Sequence, residues 1–356
     1  MGTMTRRVAV LGLIAAGLCL LPQASAAVSE QVIAKITAAL PEKAPAQPAK
    51  PRKLLVFTQA LGFVHSSIPV AAKAVELMGQ KTGAYEATVT DDPVAFEPEN
   101  LKQYDAIFLV STTGNMLQPK DVSVLKKEEG ALNGRLTDKK KPPTEEEAAD
   151  LKKKLEEVRK KIADLPPAQP REDKYKQALL DFVKGGKGLG GAHAATDCYY
   201  SWPEYGEMIG GWFSGHPYSK HVAKIDDPTS PLTAAFDGKP YDYSDEMYVF
   251  GPKGKTKDGR DVQPYARDKV RVLLSIDSPA SKIDITKGGR QDGDYPISWI
   301  KSYGDGRVFY STLGHNEFTW WNPTMLKHYL AGIQFTLGDL KADTTPVPLK
   351  PADAPK

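Results

Sequence analysis

The feature that most constrains this chain is a series of short apolar runs separated by helix-like or glycine-rich stretches. KLLVFT (53–58), YEATVTDD (85–92), YDAIFLVST (104–112) and GLGGAH (188–193) have the length and composition of strands. SIPVAAKAVELMGQKT (67–82) and KYKQALLDFVKGG (174–186) read as helices, the first with Pro69 in its opening turn, the second closed by glycine. The third run is apolar nearly throughout, as a strand covered on both faces must be. Strand–helix–strand alternation predicts an α/β fold with a doubly wound, mainly parallel sheet. Beyond residue 212 the runs become β-rich: 221–227, 241–250, 270–277, 296–304 and 306–314, followed by a closing helix over 322–340. These read as an extension of the same sheet, so one domain is expected over 53–340.

The ends have a different character. Residues 1–26 carry Arg6 and Arg7, an apolar run from Val8 to Leu21 and a small-residue site at Ala24-Ser25-Ala26, the layout of a secretory signal peptide. The apolar run is too short to span a bilayer, and no later run is long enough. The expected mature chain begins near Ala27 and is periplasmic or secreted. It keeps one cysteine, Cys198, which excludes an internal disulfide framework. Residues 27–52 read as a short helix and a proline-rich linker, and 341–356 as an extended or disordered tail. Residues 120–172 break the alternation with dense Lys and Glu; TEEEAADLKKKLEEVRKKIADL within them has a Thr cap, early acids and later bases, so a solvated helical insertion is expected. A net charge of +3, with acids and bases interleaved, gives no footprint for nucleic acid. Nothing in the sequence signals an oligomeric state.

Ligands of open α/β sheets bind at the carboxyl ends of the strands. Four of the six histidines fall at or near such ends: His65, His193, His216 and His315. His221 and His328 read as structural. Asp197, Asp245 and Glu246 lie nearby in sequence. Imidazole with carboxylate suits either a zinc-type metal or general acid–base work. His216 and Glu246 are the expected metal ligands; His193 and His315, with Asp197 and His65, are the expected catalytic groups. Glycines 185, 186, 188, 190 and 191 suit either tight turns with positive φ or close helix–sheet packing. The G-x-G-x-x-G fingerprint is absent in the required context, so no nucleotide cofactor is expected. Tyr199, Tyr200, Trp202 and Trp320 sit close in sequence to His193 and His315 and are candidate platforms for a sugar ring.

LLVFTQALGFVHSSIP, GGAHAATDCYYSWPEYGEMIGGWFSGHP, DEMYVF, YPISWIKSYGDGRVFYSTLGHNEFTW and HYLAGIQFTLGD occur in order over 53–338. Together they resemble the ThuA-like (trehalose utilisation) family, with the 120–172 insertion left out of the likeness. The resemblance implies a flavodoxin-like sheet similar to that of class I glutamine amidotransferases, whose elbow cysteine is replaced here by His193. It also implies a role in sugar metabolism, and it matches His65, His193, Asp197, His216, Glu246 and His315 to the family pattern. The resulting expectation is an exported protein that cleaves or isomerises an oxidised (keto-) sugar or glycoside with the help of histidines or a divalent metal such as zinc. The alternatives are a non-catalytic carbohydrate-binding protein and a cysteine hydrolase using Cys198.

Overall fold

A computed structural model describes residues 28–251, 263–283, 290 and 292–349. The proposed signal peptide lies outside these residues. Nine strands form one sheet: β1 (Lys53–Phe57), β2 (Glu86–Thr90), β3 (Ala106–Val110), β4 (Gly188–Ala192), β5 (Tyr218–Ile225), β6 (Tyr241–Glu246), β7 (Arg271–Ile276), β8 (Pro296–Tyr303) and β9 (Gly306–Ser311). Their order is β2-β1-β3-β4-β9-β8-β7-β5-β6. The first five strands in that order pair in parallel and the rest antiparallel. Numbered among themselves in chain order, the five parallel strands (β1, β2, β3, β4 and β9) are ordered 2-1-3-4-5, compatible with a flavodoxin-like doubly wound sheet.

Apolar side chains alternate between the two faces of this sheet. Leu54, Val56, Ala106 and Phe108 join one core with helices α1 (Glu30–Ala39), α2 (Ile68–Thr82) and the closing helix Pro323–Leu337. Leu55, Phe57, Ile107 and Leu109 join the other, whose cover includes the helices Ala168–Lys184 and Pro203–Ile209. The continuous hydrophobicity of β1 and β3 follows from burial on both sides.

The glycines of β4 answer to packing. A Cβ on Gly188 would lie 2.1 Å from Thr336 O, one on Gly190 2.4 Å from Phe108 Cδ2, and one on Gly191 3.0 Å from Ala195 Cβ. Of the five glycines around this strand, Gly186 has positive φ and Gly185 caps the preceding helix; 188, 190 and 191 are there because neighbouring atoms occupy the side-chain space.

The insertion contains α3 (Lys120–Leu136) and α4 (Glu145–Asp164), the latter with a capping box between Thr144 and Glu147. Helix α5 (Ala168–Lys184) then begins six residues earlier than its sequence pattern indicated. The insertion is not wholly solvated. Val122 and Ser123 are buried at its base, and Leu155 and Val158 are buried in α4 but belong to neither main core. Besides a single turn at Pro98–Leu101, the remaining α-helices among the described residues are α6 (Pro203–Ile209) and α7 (Pro323–Leu337).

Both flanking segments are held to the fold by contacts that their composition does not show. The proline-rich stretch before β1 is strapped to α7: Ala46 N–H donates to Gln334 Oε1 (2.8 Å), Gln334 Nε2 donates to Ala46 O (2.6 Å), and Arg52 pairs with Asp339. The tail is extended but anchored through residue 345 by Arg271–Asp343 (2.8 Å) and Ser302–Thr344 (2.8 Å). No helix among the described residues is long and apolar enough to cross a membrane.

Candidate functional site

The sheet brings the four histidines to one edge for a topological reason. Strands β1, β4 and β9 are parallel and end together, so the turns after them carry His65, His193 and His315 to the same side. Four successive antiparallel pairings then restore that direction in β6, whose last residue is Glu246. Strand β5 runs the opposite way, so its start lies at this edge, and His216 precedes it by two residues.

His193 stands at the tip of β4 in the left-handed region, φ +50°, as the first residue of a 3-10 turn (His193–Thr196). A side chain at positive φ on a strand-to-turn corner has the strained geometry of an elbow that presents one reactive group. Its Nδ1–H donates to Thr312 O at 2.7 Å, which leaves the Nε2 lone pair facing the site in the neutral ring. Around that Nε2 stand His65 Nε2 (3.1 Å), the Tyr248 hydroxyl (3.1 Å) and Glu246 Oε2 (3.5 Å). Glu246 Oε1 lies 3.1 Å from His315 Nδ1 and 3.4 Å from His216 Nε2.

One donor atom from each of His65, His193, Glu246 and His315 falls within 4.8 Å of the other three. His216 stands outside this group, at the rim, where it is about one-third exposed (36 %). Asp245 is fully buried and accepts from the backbone N–H groups of Glu246 (2.8 Å) and Gly314 (3.1 Å), tying the Glu246 strand end to the turn that carries His315.

The electrostatics favour uncharged groups. Burial, followed by the neighbouring His315 and His216, lowers His65 to about 4. Burial and the adjacent His65 push His193 well below the usual histidine value, and burial lowers His216 and His315. Burial raises Glu246 to about 7, with Asp245 adding to the shift. The cluster is therefore a set of neutral imidazoles around a carboxyl group held reluctantly as an anion. His65 Nδ1 and His315 Nδ1 are buried without a hydrogen-bond partner; the latter approaches Glu246 closely but is misaligned for a hydrogen bond. Four nitrogen and oxygen donors crowded this closely, with only the His65–His193 hydrogen bond between them, fit a common cation, and three imidazoles with one carboxylate suit zinc or another first-row divalent ion.

Other residues singled out in the sequence lie elsewhere. Tyr199 is buried beside Trp202 and Tyr205, and its hydroxyl accepts from Leu117 N–H (2.9 Å). Trp202 stacks on Tyr205. Trp320 is fully buried and stacks on Tyr329. Tyr200 donates to Asp197 and to Phe213 O. These aromatics are packing and bracing groups, so the sugar-platform expectation is corrected: proximity to His193 or His315 in sequence did not place them among the converging donors. Asp197 is engaged with Tyr200 and lies outside the group of converging donors. Cys198 is fully buried, with its thiol pushed up to about 12 by burial, so the nucleophile expectation is also corrected. His328 is buried in the closing helix, as expected of a structural residue.

Sequence reasoning missed Tyr248 and the Thr312 carbonyl, which orient His193. Tyr248 was within reach of that reasoning, two residues after Glu246 in the same DEMYVF block. It also missed Phe63 and Tyr218, large exposed rings (64 % and 54 %) set against the imidazoles of His65 and His315.

The ThuA family model, described as trehalose utilisation, matches residues 53–128 and 145–336. The unmatched gap is thus 129–144, the tip of the insertion rather than all of it. Among solved structures, a Bacteroides uniformis protein described as ThuA-like is 18% identical, with a TM-score of 0.47 over 85% of this chain and 98% of that one. A Parabacteroides merdae protein described in the same way is 14% identical, with a TM-score of 0.48 over 83% and 93%. A cytoplasmic protein of Salmonella typhimurium LT2 is 12% identical, with a TM-score of 0.40 over 80% and 99%. No curated protein matches this chain.

Proposed function

This chain belongs to the ThuA (trehalose utilisation) family, and from that membership we propose that it is an exported protein of carbohydrate metabolism whose histidine–glutamate cluster binds a divalent cation and serves acid–base chemistry on an oxidised (keto-) sugar or glycoside. The observation that carries this reading is the convergence of His65, His193, His315 and Glu246 within 4.8 Å, with two of the imidazole nitrogens lacking hydrogen-bond partners.

Those four side chains would hold the ion, which when bound supplies Lewis acidity toward a sugar carbonyl or hydroxyl oxygen. A carbonyl acidifies the C–H beside it, so a single base suffices to begin either isomerisation or elimination of a glycosidic group. His193 is too enclosed to reach a substrate: its ring is fully buried, with Thr312 O on one nitrogen and three groups around the other. In this proposal it holds the ion rather than moving a proton. His216 takes the role of base. It stands at the rim, burial keeps it neutral at pH 7, and Glu246 lies 3.4 Å from its Nε2 to steady the imidazolium once a proton arrives. Thr312 O fixes the His193 ring through Nδ1, and the Tyr248 hydroxyl, which meets Nε2 in the metal-free site, would give up that lone pair when an ion is held.

The test is turnover of a 3-keto-glycoside panel by metal-loaded protein. Glu246→Gln should lose both metal and activity, whereas His216→Ala should keep the metal and lose activity. Tight sugar binding without turnover in the wild type would favour the binding-protein alternative. Export is tested by N-terminal sequencing of protein recovered from the periplasm, with a start near Ala27 expected and an intact Met1 contradicting it.

A further inference from the structure

We infer that Ser67 and Gly314 are positioning residues of the cation site, and that the backbone of Gly314 is the joint that sets where all four candidate ligands stand; this rests on the cation-binding reading above. Gly314 immediately precedes His315. Its N–H donates to Asp245 Oδ2 (3.1 Å), and Asp245 immediately precedes Glu246. Its carbonyl accepts from Ser67 Oγ (2.8 Å), two residues after His65. Its α-carbon, at φ +136°, lies against the root of His193: a Cβ added there would stand 3.4 Å from His193 Cβ and 3.2 Å from Trp320 Cζ2. The segments that carry His65, His193, Glu246 and His315 are distant in the chain, and this one glycine joins or touches each of them.

The Ser67 contact is the one that local structure does not call for. A serine at the position before a helix ordinarily turns its oxygen back onto an N–H group of the first turn. Ser67 holds that position before α2 and makes no such bond; its fully buried hydroxyl donates across to Gly314 instead. The helix goes without a side-chain cap, and the loop carrying His65 is fastened to the turn carrying His315. His65 depends on that fastening. Its Nδ1 has no hydrogen-bond partner and its Nε2 is bonded to His193, itself a candidate ligand, so no hydrogen bond from outside the cluster fixes the ring. The near end of the same loop is held separately: Leu61 N–H donates to Thr113 O (3.0 Å), Gly62 N–H to Thr113 Oγ1 (3.0 Å), and Thr113 Oγ1 to Phe63 O (3.0 Å). Without the Ser67 hydroxyl the loop stays attached at Thr113, and Gly314 O keeps Trp320 Nε1 as a donor (3.4 Å). The chain therefore folds while the placement of His65 against His315 loosens.

The experiment titrates chelator-stripped wild type, Ser67→Ala, Ser67→Thr and Ser66→Ala with cobalt(II), read by the visible absorption of the bound ion, with zinc as competitor. Ser67→Ala should still unfold in one cooperative transition, bind cobalt about 10–100-fold more weakly and show an altered cobalt spectrum, because His65 no longer keeps its place among the ligands. Ser67→Thr, which retains the hydroxyl, should recover most of the affinity and the wild-type spectrum. Ser66→Ala, which removes an exposed hydroxyl from the same turn, should match wild type. Gly314→Ala, which presses a methyl toward Trp320 and His193, reaches the same joint from the other side and should also weaken cobalt binding. Wild-type affinity and spectrum in Ser67→Ala or in Gly314→Ala would overturn the assignment, as would a Ser67→Ala variant whose only change is a lower unfolding temperature. A Ser67→Thr variant no better than Ser67→Ala would assign the effect to packing rather than to the hydroxyl and overturn it too. If the wild type binds neither cobalt nor zinc, the cation-site reading itself fails and the positioning role falls with it.

Discussion

Gly190→Ala is the substitution whose cost can be worked most directly from the geometry. The added methyl would sit 2.4 Å from Phe108 Cδ2 and 2.9 Å from Cε2, about an ångström inside ordinary carbon–carbon contact. Phe108 is fully buried in the adjacent strand, where Tyr329 meets its ring edge-on, so it cannot swing away without moving a second buried ring. Overpacking of this kind costs about 1–3 kcal/mol, and the lack of an escape route puts this site near about 3. Phe108→Ala alone should cost about 3–5 kcal/mol by opening a cavity. In the double variant the new methyl enters that cavity, so the pair should be less destabilising than the sum by about 3 kcal/mol. Gly130→Ala in α3 is the control: a methyl added there would meet nothing within 4 Å, and the helix should gain about 0.5–1 kcal/mol from the same chemical change. Guanidinium denaturation of the four variants measures all of these terms. Additivity of the Gly190 and Phe108 effects within about 0.5 kcal/mol would refute the packing account of the glycine-rich strand.

Asp245→Asn should weaken divalent-metal binding about 10–100-fold, because one carboxylate tethers both the Glu246 strand end and the His315 turn; competition with a chromophoric chelator reads this, and unchanged affinity would show that the tether is dispensable. Burial lowers His328 to about 4, against the usual histidine value of 6.5. The unfolded chain therefore binds a proton that the folded chain refuses, and stability rises with pH between about 4 and 6.5, by about 3 kcal/mol over the window. His328→Gln should flatten that part of the pH–stability curve, measured by denaturation at several pH values, and an unaltered slope would contradict the assignment. Replacing 129–159 by a short Gly/Ser turn should preserve cooperative thermal unfolding. Arg159 and Glu129 already meet across the helical hairpin, and Leu155 and Val158 pack in neither main core; loss of the transition would show that the hairpin supports the fold.

The parallel half of the sheet was legible because strands buried on both faces must be apolar throughout, and β1 and β3 are. The histidine convergence was legible too, since strand ends of a parallel sheet share an edge. Glu246 reached that edge for a reason the sequence does not display: four antiparallel pairings in a row must be counted to learn that β6 points the same way as β1. The division of labour among the histidines was equally hidden. Whether a ring is enclosed, as His193 is, or at the rim, as His216 is, depends on contacts from distant segments such as Tyr248 and Thr312. The aromatic residues near His193 misled for the opposite reason, because a short stretch of chain turned them into the core around α6. The strap at 41–52 was hidden because its hold on α7 is made by backbone groups of Ala46, which carry no side-chain signature.

The central claim is that His65, His193, His315 and Glu246 form one cation site, and metal stoichiometry tests it most directly. Protein stripped with a chelator, dialysed against zinc or manganese and analysed by mass spectrometry should carry one ion per chain. Saturation with the ion should also raise the unfolding free energy, by about 2.7 kcal/mol at a hundredfold excess over the dissociation constant. His193→Ala and Glu246→Gln should each abolish both effects, while His216→Ala should leave them in place. A wild-type chain that takes up no divalent ion and shows no stabilisation by any of them would contradict the account.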